Sequence, residues 1–235
     1  MALPFFYTDS IKTGAIQFVL GEETSKHAIQ VLRMQAGEQL LLTDGKGHLF
    51  TTEIIDDNRK KCVVNVLSES VQTEPVKKIT IAISLVKNST RFEWFLEKAT
   101  EIGIAEIVPL ICSRTEKQHF RHDRMKNILI SAMLQSQQTW LPKLNEPTPF
   151  AEAVHHPAQQ KYIAHCEEET LKQQLVQTLS AAATKSIILI GPEGDFTKDE
   201  IAAAIENHFI PVALGNTRLR TETAGVVAAT ILCNC

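Results

Sequence analysis

The strongest constraint on the fold is a change of rhythm near residue 70. Before it, short apolar stretches alternate with tight turns; after it, apolar strands alternate with helical periodicity. Strands are expected at Ala15–Leu20, Gln39–Thr43, His48–Ile55 and Lys61–Leu67, with Asp44-Gly45-Lys46-Gly47 as a turn. Thr24 stands where it would cap a helix to about Arg33, with Ala28, Val31 and Leu32 on one face. Short strands, tight turns and one helix predict a small β-barrel. Ser68–Lys78 is polar, holds Pro75 and lacks periodicity, so a linker is expected there, dividing a domain of residues 1–70 from one of residues 76–235.

In the second part Ile79–Val86 reads as a buried strand. A helix from about Arg91 places Phe92, Phe95, Leu96, Ala99 and Ile102 on one face and ends at Gly103. Glu106–Ile111 is the next strand, and a helix from about Asp123 uses Met125, Ile128, Leu129 and Ala132. Tyr162–His165 and Ser186–Gly191 are further strands. Strands alternating with helices predict an α/β fold with a mainly parallel sheet covered on both faces.

The 235 residues suffice for a core without disulfides or metal. The five cysteines, Cys62, Cys112, Cys166, Cys233 and Cys235, form no CxxC pair, so structural free thiols are expected and no metal. His119, His122, His155 and His156 read as solvated loop histidines, since no second ligand cluster accompanies them. The N-terminus has no signal-peptide pattern, and no apolar run reaches the ~18–20 residues that span a bilayer. A soluble, cytoplasmic protein with no membrane partner is therefore expected. A formal net charge of −3 argues against non-specific nucleic-acid binding through a large basic face. A local cluster remains: Arg114, Lys117, Arg121, Arg124 and Lys126, against Glu116 and Asp123, is either a basic groove or a solvated helix start.

Two stretches carry the chemistry. In Ser186–Thr197 an apolar strand runs into Gly191-Pro192-Glu193-Gly194, after which Thr197 and Glu200 form a capping box for a helix. A glycine-bearing turn at the carboxyl end of a parallel strand is where α/β sheets bind ligands. The Lys-Ser/Thr ending of a P-loop and the GxGxxG of a dinucleotide site are both missing. In Pro211–Gly225 a short strand ends at Leu214-Gly215, a polar loop carries Arg218 and Arg220, and Thr221 or Glu222 opens an alanine-rich helix. Ala224, Gly225, Ala228 and Ala229 give that helix a face of little bulk, suited to close approach by a partner subunit or to close packing within the chain.

Together these segments resemble the SPOUT class of methyltransferases, and more closely the RsmE family. The matching residues are Gly191-Pro192-Glu193-Gly194, Leu214-Gly215 and Leu219-Arg220-Thr221-Glu222-Thr223-Ala224. His27, Val31-Leu32-Arg33, Gly37, Asp44-Gly45 and Gly47 resemble that family's PUA-like RNA-binding barrel, and Glu97–Gly103 its first long helix. Three positions depart from the family pattern. Pro4 precedes Phe5-Phe6 where an arginine is frequent, Leu134-Gln135-Ser136-Gln137-Gln138 replaces a Glu-Gln-x-x-Arg stretch, and Asp195 replaces a glycine.

The resemblance implies a PUA-like barrel followed by a SPOUT domain with a deep trefoil knot. It implies S-adenosyl-L-methionine as cofactor and methylation of N3 of a uridine in small-subunit ribosomal RNA, within an assembled particle, by a homodimer with its active site at or beside the interface. Carried over residue by residue, the cofactor is expected at Gly191, Pro192, Glu193, Gly194, Leu214, Gly215, Leu219, Arg220 and Thr223. Arg220 and Glu222 are expected to be catalytic, Arg220 stabilising a uridine anion and Glu222 either taking the proton or orienting Arg220. RNA is expected at His27, Arg33 and Arg114. Two other functions are compatible with the same residues: methylation of another RNA nucleotide, and a non-catalytic dimeric RNA-binding scaffold.

Overall fold

The computed structural model describes residues 3–116, 119–167, 171–180 and 182–235; Lys117 of the basic stretch lies outside them. The chain forms two compact units, Met1–Glu74 with Met133–Leu141, and Pro75–Ala132 with Pro142–Cys235.

In the first unit, β1 (Phe5–Tyr7), β2 (Gln17–Val19), β3 (Gln39–Thr43), β4 (His48–Asp56) and β5 (Val63–Val71) make a curled five-stranded sheet in the order β1-β3-β4-β5-β2. Register shifts at Thr51/Thr52 and Ile54/Asp56 bend the β4–β5 pair. The alternating inward residues Leu40, Leu42, Phe50, Ile54 and Val64 join Phe6 in its core. The polar stretch after residue 68 is shorter as a connection than expected, because β5 runs on to Val71 and only residues 72–77 precede the next strand. The segment Met133–Leu141 pairs with the turn after β3. Lys46 and Trp140 form an isolated bridge, Leu141 N donates to Gly45 O (2.9 Å), and Trp140 Nε1 donates to Gln72 O (3.2 Å).

The helix of the first unit differs from expectation. α1 (Glu22–Lys26) starts after Gly21, not at Thr24, and passes into a π-helical turn, His27–Val31. The turn adds a residue per revolution and rotates the residues at its end off the inner face. Ala28 is wholly buried, as expected, but Val31 and Leu32 are 68% and 45% exposed. Arg33, at φ 59°, ends the helix in the left-handed conformation, and Met34 N donates back to Ala28 O (3.0 Å).

The second unit comprises β6 (Lys78–Ser84), α2 (Ser89–Ile102), β7 (Glu106–Ile111), α3 (His122–Gln135, its last residues grouped with the first unit), β8 (Lys143–Leu144), β9 (Thr148–Pro149), α4 (Phe150–Ala153), β10 (Gln160–Ala164), β11 (Gln173–Gln174), α5 (Leu175–Thr178), β12 (Lys185–Ile190), α6 (Lys198–Glu206), β13 (Ile210–Ala213) and α7 (Thr221–Asn234). Its sheet has the order β11-β13-β10-β12-β6-β7-β8 and is parallel throughout. Ala82, Ile187 and Leu189 pack towards Phe150, Phe196 and Ile201 on one face, while α7 lies on β6 and β12 beside α2 on the other. Both faces are thus covered, which is why β6 is buried from Ile79 to Ser84. Asn88 caps α2, and Gly103 closes it at φ 96°.

The small-residue face of α7 is occupied by the chain itself. A Cβ on Gly225 would stand 2.6 Å from the Phe95 ring and 2.8 Å from Ile83 Cδ1. Ala228 and Ala229 are wholly buried within one chain. Close packing within the chain therefore accounts for these residues, and they no longer supply a reason for a dimer. His156 is also not the solvated histidine expected from its neighbours. Its Nε2 lies 3.1 Å from Glu106 Oε2, in a cluster where Lys143 Nζ and Asn145 Nδ2 donate to Glu106 Oε1 (2.8 Å each). Burial alone would raise the Glu106 carboxyl, but these donors together hold it well below the usual carboxylate range.

Candidate functional site

Three neighbouring strands, β13, β10 and β12, end on one side of the second unit's sheet, and the loops that follow them surround a cavity of about 700 Å³. The carboxyl ends of parallel strands are where such sheets bind ligands. Ile190, Val212, Leu214 and Leu219 give the wall an apolar part; Lys172, Arg218 and Arg220, with Glu193 and Asp195, give it a charged part.

The loop after β12 is braced at several points. Phe196, 3% exposed, packs on Phe150 and leaves only 3.1 Å between its ring and a Cβ built on Gly191. Arg114 Nη1 donates to Gly194 O (2.7 Å), and Thr221 Oγ1 donates to Gly191 O (3.1 Å). Asp195 stands at φ 62°, the left-handed conformation that explains a glycine at this position in the family pattern. Aspartate tolerates that conformation and uses its carboxylate to accept from Phe196 N (2.9 Å) and Cys166 N (2.8 Å). The expected capping box is present: Thr197 Oγ1 accepts from Glu200 N, and Glu200 Oε2 accepts from Thr197 N (2.8 Å). Glu200 Oε1 also accepts from Ser113 N (2.7 Å).

The loop after β13 is different. Gly215 has φ 143°, and nothing stands within 4 Å of where its Cβ would be. Residues 215–218 are exposed, and residues 215–219 make no hydrogen bond among the described residues. Arg220 is the N-cap of α7 by its backbone, and its exposed side chain lines the cavity.

Of the expected cofactor residues, the cavity wall brings together Gly191, Pro192, Glu193, Leu214, Gly215, Leu219 and Arg220. Gly194 and Thr223 are outside it, as is Glu222, expected to be catalytic. Gly194 turns its carbonyl to Arg114. Thr221 and Ala224, three residues apart on α7, face the cavity, so Glu222 and Thr223 between them point elsewhere. Glu222 is 6% exposed; its Oε1 lies 3.7 Å from Arg91 Nε, and its Oε2 has no hydrogen-bond partner among the described residues. Arg91 Nη1 also lies 3.4 Å from Glu193 Oε1, so one guanidinium in the first turn of α2 bridges a carboxylate from each of the two chemical stretches. In the sequence Arg91 reads only as a helix start, and no local pattern marks it.

The residues expected to meet RNA belong to different units. His27 is exposed, its ring edge-on to Phe6 with centroids 5.6 Å apart, and Arg33 is exposed just beyond the π turn; both belong to the first unit. Arg114 is in the second unit and is engaged with the loop after β12. Arg124 is likewise committed, donating to both carboxylate oxygens of Glu93 (2.7 and 2.9 Å). Two cations of the candidate groove thus serve the unit's own structure. The wall also contains residues no sequence motif indicated, notably His165, Cys166 and Lys172 from the loop after β10. The Cys112 thiol, by contrast, is buried and pushed up to about 12, and burial pushes Cys62 and Cys233 up to about 11, so these three stay protonated structural thiols.

The chain has relatives along nearly its whole length. A family model described as an RNA methyltransferase domain matches residues 72–233, and one described as an RNA methyltransferase PUA domain matches residues 20–67. The Synechocystis protein named ribosomal RNA small subunit methyltransferase E is 31% identical over 209 residues, covering 86% of this chain and 68% of that protein. The crystal structure of a probable rRNA-methyltransferase from Porphyromonas gingivalis is 38% identical, with a TM-score of 0.89 over 97% of this chain and 95% of that one. A ribosomal RNA small subunit methyltransferase E from Neisseria gonorrhoeae, solved bound to S-adenosyl methionine, is 27% identical, with a TM-score of 0.86 over 97% and 95%. With both units matched by family models and the fold shared from end to end, the chain belongs to the ribosomal RNA small subunit methyltransferase E family of RNA methyltransferases.

Proposed function

We propose that this chain uses S-adenosylmethionine to methylate N3 of a uridine in small-subunit ribosomal RNA, with the cofactor in the cavity at the ends of β13, β10 and β12. The observation that carries this reading is the convergence of both glycine-bearing loops on one cavity with an apolar side and a charged rim. That chemistry suits a cofactor with a purine at one end and an amino acid at the other. When bound, the cofactor supplies a methyl group already activated on a sulfonium.

The chain's residues then bind, orient and manage charge. Leu214 and Leu219 flank the adenine, and the backbone at Gly191–Glu193 and Leu214-Gly215 supplies hydrogen bonds. Uridine N3 holds a proton at neutral pH and must lose it before accepting a methyl group. Arg220, exposed on the cavity wall, stabilises the uridine anion as charge develops. Glu222 sits behind the wall against Arg91, a placement that favours orienting its neighbours over direct proton removal. N3 is on the pairing edge of the base, so the target uridine enters unpaired or extruded. The first unit holds RNA through the surface of His27 and Arg33, while Arg114 serves mainly to brace the cofactor loop. Family membership supports the remaining parts of the reading: a cytoplasmic homodimer acting on an assembled ribosomal particle, with the trefoil knot of the SPOUT class and a division of labour near residue 70.

Titration calorimetry tests the cavity assignment. The wild-type chain is expected to bind S-adenosylmethionine at micromolar concentration, and Gly215→Val to bind it roughly a hundredfold more weakly, the equivalent of ~3 kcal/mol of backbone strain. Equal affinity in the two proteins would remove the cofactor from this cavity.

A further inference from the structure

The sheet order places a third loop between the two glycine-bearing ones. β10 lies between β13 and β12, so the residues after Ala164 emerge between the loops that follow those strands. The first of them is His165. It is 7% exposed, it lines the cavity, and neither Nδ1 nor Nε2 has a hydrogen-bond partner among the described residues. An imidazole buried with both nitrogens unsatisfied is costly, and no described neighbouring group relieves it. The charged groups around it are Lys172, whose Nζ donates to His165 O (3.1 Å), Asp195 from the loop after β12, and Glu167. Burial, reinforced by Lys172, lowers the imidazole pKa against the opposing pull of Asp195 and Glu167. His165 is therefore neutral at neutral pH and offers one donor and one acceptor.

A neutral, desolvated donor–acceptor pair suits neutral polar groups. The charged ends of an amino acid find their counterparts instead in Arg218, Arg220, Glu193 and Asp195. A purine edge or a ribose hydroxyl presents the neutral donors and acceptors that match an imidazole.

We propose that His165 is a binding residue for the adenosine half of the methyl donor, its two ring nitrogens hydrogen-bonding the base or ribose. The inference rests on the cavity being the methyl-donor site.

The test uses the full chain, with S-adenosylmethionine, adenosine and methionine as separate calorimetric probes. His165→Phe keeps an aromatic ring and removes both polar nitrogens; His165→Gln keeps a donor and an acceptor. The Phe variant should bind S-adenosylmethionine and adenosine about tenfold more weakly, by the same factor for both, and the Gln variant should recover most of the loss. Without ligand, the Phe variant should unfold at the wild-type temperature or above, because it removes two unsatisfied buried groups. Adenosine should shift the ¹⁵N resonances of the His165 ring in the wild type. Unchanged affinity in both variants, with Gly215→Val still binding roughly a hundredfold more weakly than the wild type, would show that water alone satisfies His165 and overturn the inference while leaving the cavity assignment standing. A loss for S-adenosylmethionine without a loss for adenosine would place His165 on the amino-acid half and also overturn it. If the wild type binds none of the probes, or Gly215→Val binds like the wild type, the cavity assignment fails and the inference falls with it.

Discussion

The two glycine-bearing loops line the same cavity and are built in opposite ways. The loop after β12 is held by Phe196 against Gly191, by Arg114 on Gly194, by the Asp195 carboxylate and by the first residue of α7. The loop after β13 has an open side at Gly215 and no hydrogen bonds over residues 215–219 among the described residues. One wall of the site is preorganised; the other is free to order against a ligand and loses conformational entropy when it does. Glycine at 191 is therefore needed for packing, and glycine at 215 for backbone conformation.

Parallel substitutions separate these requirements. Gly215→Val should cost cofactor affinity roughly a hundredfold and leave thermal stability nearly unchanged, since the added side chain meets nothing and the exposed, unbonded loop can relax from the φ of 143°, which binding must then restore at the expense of strain. Gly191→Val should lower folding stability by about 1–3 kcal/mol as well, because the Phe196 ring must move within the core. Urea denaturation beside calorimetry reads both; equal stability loss in the two variants would erase the contrast between the loops.

Arg91 extends the comparison to the residues behind the braced loop. Arg91→Met should lower kcat about ten- to a hundredfold by freeing Glu222 and Glu193, with little change in cofactor affinity, and Arg91→Lys should restore part of it. A change in cofactor affinity with kcat intact would mean that the bridge shapes the cavity and not the reaction.

A smaller effect is expected at Asp195. Asp195→Gly keeps the left-handed backbone and loses two hydrogen bonds, for about 1–2 kcal/mol. Asp195→Ala loses the same bonds and adds strain, so it should be the less stable of the two by about 1 kcal/mol. The reverse order in urea denaturation would show that the backbone there relaxes.

The smallest effect concerns pH. Glu106 and His165 both have folded-state pKa values below their ordinary ones, for opposite reasons: donors favour the charged carboxylate, and burial disfavours the charged imidazole. In each case the unfolded chain binds protons first on acidification, so stability is full above the ordinary pKa and is lost as pH falls below it. The His165 contribution should fade below the usual histidine range and the Glu106 contribution below the usual carboxylate range. Denaturation midpoints should therefore fall in two stages, and His165→Phe should flatten only the earlier one.

How much of this is legible in the sequence depends on whether a feature is local. Capping by Thr197 and Glu200, the C-cap at Gly103, the β6 core and the glycine turns are set by near neighbours and follow from residue type. The π turn at His27–Val31 is not legible, because one inserted residue leaves the apolar pattern intact while rotating Val31 and Leu32 outward. The small residues of α7 announce close approach but not by what; Phe95 and Ile83 answer that only once α2 and β6 are in place. His165 is hidden for the same reason. It carries no motif, and only the sheet order, with β10 between β13 and β12, brings it between the two loops.

The central claim is the reaction itself. Small ribosomal subunits from a strain lacking the gene, incubated with purified chain and S-adenosylmethionine, can be digested to nucleosides and analysed by mass spectrometry. N3-methyluridine should be absent before incubation and appear after it. A methyl group on another nucleoside, or no methyl transfer by a chain that binds the cofactor, would contradict it.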